Sequence, residues 1–194
     1  GPVPELVRLL PESARFEVSG MTSTIAGRSP GRIWLPNPDV PEGYAFYRAQ
    51  VEGLVKVYPQ ITALVVWFRR GGTPWMDLKA TDLPAAWRKE FAAEVERTPE
   101  AGKHWRAPGL FAVSKIIRAF ERALKDCGAG RMRVAAGTWG FEFLPAADRF
   151  FPAGVPLIGL DYDVLHEKPQ LGTATARAPL REIGAHRPVI PIVW

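Results

Sequence analysis

Four carboxylates and a set of aromatic and basic side chains carry the chemical content of this chain. Glu142 follows Gly137-Thr138-Trp139-Gly140, Asp161 and Asp163 flank Tyr162, and Asp77 follows Gly71-Gly72-Thr73-Pro74-Trp75-Met76. Arg69 and Arg70 stand just before that last stretch, and Trp194 ends the chain. Indole rings stack on the apolar faces of sugars, and carboxylates hydrogen-bond to their hydroxyls. A suitably spaced carboxylate pair also hydrolyses a glycosidic bond, one acid protonating the leaving oxygen while the other acts as base or nucleophile. Glu142, Asp161 and Asp163 are therefore the catalytic candidates. Trp139, Trp75, Arg69, Asp77, Tyr162 and Trp194 are the substrate-binding candidates, and an arginine there suits an acidic sugar.

Each of these residues also has a plainer role. Trp139, like Trp67, suits a core; Asp161 and Asp163 suit a cap or an arginine partner. Glu142 suits an exposed surface, Asp77 a turn, and Arg69 and Arg70 a solvated strand end. Other chemistries find less support. His104, His166 and His186 share no metal-ligand spacing, and Ser19, Ser23 and Ser114 lie outside any Gly-x-Ser-x-Gly elbow. No metal and no cofactor is expected.

The elements that position the candidates follow from hydrophobic periodicity. Residues 61–68, 131–137, 156–163 and 187–194 are apolar runs that predict strands, and 15–21 alternates with a period of two. The run Ile61-Thr62-Ala63-Leu64-Val65-Val66-Trp67-Phe68 predicts burial on both faces, as in a parallel sheet. Helical spacing predicts helices over 43–58, 85–95, 108–126, 144–151 and 171–183, the last interrupted by Pro179. Residues 1–14 form a Pro-rich lead-in, 22–42 a long loop and 98–106 a polar linker.

Alternating strands and helices predict an α/β fold with right-handed βαβ units. Even strand spacing, aromatics at strand ends and the lack of a Gly-x-Gly-x-x-Gly after the first strand favour a (β/α) barrel. A complete barrel has eight strands in roughly 200–250 residues, so the five predicted strands imply a partial barrel in one segment, 1–194. Its exposed edges, 15–21 and 187–194, predict self-association.

Composition bounds the partners. The chain has 194 residues with 25 Lys plus Arg against 20 Asp plus Glu, a net charge of +5. The basic residues are scattered rather than striped, which speaks against nucleic acid. No apolar run reaches the length of a membrane span. Cys127 is the single cysteine, so no internal disulfide forms. The start, Gly1-Pro2-Val3-Pro4-Glu5, has no signal peptide and no initiator Met. A processed chain or internal segment is expected, and a cytoplasmic location is favoured.

Several short motifs carry a resemblance. Phe46-Tyr47-Arg48, Tyr58-Pro59, Gly72-Thr73-Pro74-Trp75, Gly137-Thr138-Trp139-Gly140 and Leu160-Asp161-Tyr162-Asp163 together resemble the central barrel of glycoside hydrolases. The likeness is nearest to α-glucuronidases and β-hexosaminidases and covers 15–194 in layout. It implies a TIM barrel and a carbohydrate substrate. Hexosaminidase-like barrels carry an Asp-Glu pair at the end of the fourth strand, where this chain has Trp67-Phe68-Arg69-Arg70. No catalytic residue is therefore taken from the family. The expectation is a glycosidase, and the alternative is a sugar-binding or structural barrel segment without a complete acid/base pair.

Overall fold

A computed structural model describes residues 4–23, 28–68, 74–161 and 174–193. Its elements are α1 (Pro4–Arg8), β1 (Arg15–Ser23), β2 (Arg28–Pro36), α2 (Pro41–Val57), β3 (Ala63–Phe68), α3 (Ala85–Arg97), α4 (Pro99–Gly102), α5 (Ala107–Asp126), β4 (Arg133–Thr138), α6 (Leu144–Phe150), β5 (Leu157–Asp161), α7 (Ala174–Gly184) and β6 (Val189–Val193). The four strands β3-β4-β5-β6 form a parallel sheet in that order, and β1-β2 form a separate antiparallel pair. Among the described residues the strand order does not reverse, and no switch-point crevice of a doubly wound fold is seen.

Four expectations change. The parallel sheet has four strands rather than five, because residues 15–21 pair with β2 instead of joining it. The expected loop over 22–42 contains β2, whose Ile33 and Leu35 lie opposite Val18 and Phe16. The linker over 98–106 contains α4, started by Pro99, a residue tolerated in a first helical turn. The run 61–68 is an edge strand, with Val65 42% exposed, rather than one buried on both faces. An apolar run reports affinity for a sheet and does not say whether a strand lies inside it or at its margin.

Register divides the sheet into two unlike faces. Val66, Phe68, Val134, Ala136, Leu157 and Val189 point to one side and join the main hydrophobic core. There α5 lies against β4, α6 against β5 and α7 against β6. The amphipathic α5 drives this layer, burying Leu110, Val113, Ile117 and Leu124 along one stripe. Val65, Trp67, Ala135, Ile158, Leu160, Ile190 and Ile192 point to the other side, and none belongs to that core. Trp67 lies across β4 at Gly137, where an added Cβ would meet its ring at 2.2 Å.

The parallel sheet's edges are β3 and β6, not residues 15–21. Leu157 N–H donates to the Pro188 carbonyl at 2.9 Å, which turns alternate groups of β6 toward β5 and leaves Pro191 on the outer edge. Proline has no N–H to offer there, so this edge is partly blunted.

The amino-terminal side of the sheet is fastened by a buried guanidinium. Arg187, just before β6, donates from Nη1 to the carbonyls of Pro152 and Val155, both at 3.0 Å. Its Nη2 donates to the carbonyls of Asp148 at 3.0 Å and Phe151 at 3.3 Å. Its Nε lies 2.9 Å from Asp148 Oδ1, both side chains being 4% exposed. That contact is electrostatic, since the Nε–H is not aligned for a hydrogen bond. His186 Nε2 also sits 3.0 Å from Asp148 Oδ1.

A buried ion pair adds little net stability against an apolar substitute, but removing one partner strands the other charge. Arg187→Met is therefore expected to destabilise the fold by about 3–5 kcal/mol in urea unfolding. The double variant Arg187→Met/Asp148→Asn should recover part of that loss. A single variant as stable as the parent would show that this pair does not fasten β6.

Candidate functional site

Parallel strands place their carboxyl ends along one side of a sheet, and the described candidates collect there. Residues Pro74–Asp77 form a short 3-10 turn after β3. A second 3-10 turn, Phe141–Phe143, follows β4, and Asp161 closes β5. Arg69, Arg70, Tyr162, Asp163 and Trp194 lie outside the described residues.

The turn after β4 leaves Glu142 exposed between two buried phenylalanines. Phe141 and Phe143 are buried, at 5% and 3% exposure, and anchor the turn on both sides of Glu142, which is exposed. A Cβ at Gly140 would fall 2.1 Å from Glu142 Oε2, so the carboxylate folds back over the glycine beside Trp139. Trp139 is 40% exposed, unlike the buried Thr138 before it. Thr138 Oγ1 has no hydrogen-bond partner among the described residues.

Asp77 and Trp75 turn inward. Asp77 Oδ1 forms an ion pair with Arg106 Nη1 at 2.8 Å, the two side chains being 21% and 17% exposed respectively. Trp75 is 5% exposed, its ring 6.4 Å from that of Phe16. The expectation of Trp75 as an open sugar platform is thus corrected: its ring is enclosed in the core beneath β1. Asp77 is likewise an ion-pair partner here, with its charge balanced by Arg106.

The segment between these two turns belongs to the predicted polar linker 98–106. His104-Trp105-Arg106 follows α4, turned by bonds from His104 N–H to the Ala101 carbonyl at 3.1 Å and from Ala107 N–H to the His104 carbonyl at 2.8 Å. Arg106 N–H donates to His104 Nδ1 at 3.1 Å. The guanidinium of Arg106 lies 4.2 Å from the centroid of Trp105. The main chain of Glu142 favours the protonated imidazole, and the ring lies 5.7 Å from that of Phe143. Trp105 is 57% exposed, more than Trp139. Three consecutive residues, each able to bind a ring, an acid or a proton, were the available signal; no periodicity marks them.

No protein-family model, curated protein or solved structure matches this chain. Among the described residues no group of three His, Cys, Asp or Glu side chains has the geometry to hold a metal ion. No helix among them is long and apolar enough to cross a membrane.

Burial lowers the pKa of His104 below its ordinary 6.5; the hydrogen bond to the Glu142 main chain opposes that shift, and the nearby Arg106 charge adds to it. The ring is thus held neutral, with Nδ1 accepting from Arg106 N–H. The unfolded chain takes up this proton near pH 6.5, the folded chain only at lower pH. The contribution to stability is therefore whole above about pH 6.5 and is lost as pH falls from there to the folded value. Urea unfolding between pH 7.5 and 5.0 should show that decline, and His104→Gln should make it shallower. An identical pH profile for both proteins would remove His104 from the account.

Proposed function

We propose that this chain is a (β/α)-barrel segment that binds carbohydrate at the carboxyl side of its parallel sheet, and that Glu142 and Asp161 serve glycoside hydrolysis there. The observation that carries this reading is the exposed Glu142, held between two buried phenylalanines, with its carboxylate folded over Gly140 next to the exposed Trp139. The unreversed parallel order, with helices on one face and an apolar opposite face, supports a barrel wall over a doubly wound sheet. In such a wall the carboxyl-side loops hold the chemistry, and the two acids follow neighbouring strands. Glu142 is the first choice for a reacting group because it is an exposed residue on an anchored turn.

Hydrolysis of aryl glycosides and aryl glucuronides by the whole chain tests this reading. Turnover is expected, falling about 100-fold or more in Glu142→Gln and in Asp161→Asn. Undiminished turnover in both variants would sink the assignment of these acids. The second reading is sugar binding without hydrolysis, supported by the exposed rings of Trp105 and Trp139 at this edge. Binding of the same glycosides with no turnover would select it.

Self-association along the sheet edges belongs to the same proposal. Val65 on β3 and Ile190 and Ile192 on β6 are 42%, 46% and 40% exposed and support it, although Pro191 weakens the β6 edge. Sedimentation velocity over a hundredfold concentration range should show assembly, reduced by Val65→Lys. A concentration-independent monomer would rule this out.

A further inference from the structure

We infer that His104-Trp105-Arg106 builds an aromatic sugar subsite beside Glu142, with Trp105 as the stacking platform and Asp77 as a positioning residue acting through Arg106. The inference rests on the carbohydrate reading of the same edge and adds residues to it.

Trp105 keeps 57% of its surface exposed, yet three neighbours hold it. Arg106 lies over the ring at 4.2 Å and is itself tied to Asp77 at 2.8 Å. His104 stacks at 6.2 Å with 28° between the planes. The buried Phe143 meets it at 6.3 Å and 39°. Since an immobilised indole loses little further freedom when a ligand arrives, its apolar surface is available for binding at small entropic cost.

The neighbours also narrow the ligand. Arg106 occupies a cation-binding face of the ring, which disfavours ammonium ligands. Asp77 balances the guanidinium, so the platform itself imposes no strong charge requirement. The remaining surface suits the C–H face of a pyranose, neutral or acidic. Location agrees with this, because the rings of His104 and Trp105 lie 5.7 and 6.3 Å from that of Phe143, in the turn that carries Glu142. A sugar on Trp105 would lie next to the turn that carries Glu142.

Titration of the whole chain with methyl β-glucopyranoside and methyl β-glucuronide, followed by the indole N–H signals in NMR, tests the proposal. Trp105→Ala should weaken binding of the better ligand about 3- to 10-fold, and Trp105→Phe by less. Asp77→Asn should move the Trp105 indole signal, leave that of Trp139 in place and weaken binding about 2- to 3-fold, with Asp77→Glu restoring part of it. Partial rescue by Asp77→Glu separates loss of the charge pair from loss of packing, which the longer acid would not restore. Unchanged binding in Trp105→Ala, with binding lost in Trp139→Ala, would overturn the subsite and leave the carbohydrate reading standing. Absence of binding by the folded parent protein to either glycoside would overturn both.

Discussion

Burial of β4 beneath α5 is the constraint on which the rest of the fold depends. Five of its six residues are buried, and β3 and β5 pair with it on either side. Helix α5 supplies the matching surface, a stripe of large apolar side chains running most of its length. A strand whose backbone is paired on both sides and whose core-facing side chains meet a helix has no low-energy alternative register. A one-residue slip would turn Val134 and Ala136 away from that helix. Direction follows as well: with β4 in place, parallel neighbours bring the ends of β3 and β5 to the same side as Thr138.

The two ends of the sheet are built by different means. At the amino side a buried guanidinium gathers four main-chain carbonyls and a carboxylate, tying α6, the turn after it and the start of β6 together. Such a network leaves few polar groups uncommitted and favours rigidity. At the carboxyl side, short 3-10 turns are pinned by Trp75, Met76, Phe141 and Phe143, while Trp105, Trp139 and Glu142 stay in contact with solvent. A stiff base with side chains presented from anchored turns is the arrangement expected of a binding face.

The Arg106–Asp77 pair links these turns across the sheet end. It draws Asp77 out of the set of available acids and at the same time holds an exposed indole in place. One interaction thus weakens the case for Asp77 as a direct substrate contact and strengthens that for a nearby aromatic surface. Partly buried pairs of this kind contribute more to position than to net stability.

Much of the element list was legible in the residues themselves. The apolar runs at 131–137 and 156–163 became β4 and β5, and the stripe over 108–126 became α5, because period and length are local properties of the chain. Local pattern also located Glu142, since a buried strand followed by glycines must present its next polar residue near the sheet end. Pairing partners were beyond its reach. Residues 15–21 have the alternation of any half-buried strand, and only contact with β2 showed that they leave the parallel sheet. The run 61–68 reads as interior, but burial is set by the number of neighbours, and β3 has one. Trp75 and Trp105 make the same point. Their side chains are identical, yet Phe16 encloses the first while Arg106 and His104 support the second at the surface. Sequence by itself determined where strands, helices and chemically able side chains occur, because those depend on neighbours along the chain. Tertiary structure alone decided which strand is an edge, which indole meets water and which acid is already paired, because those depend on neighbours in space.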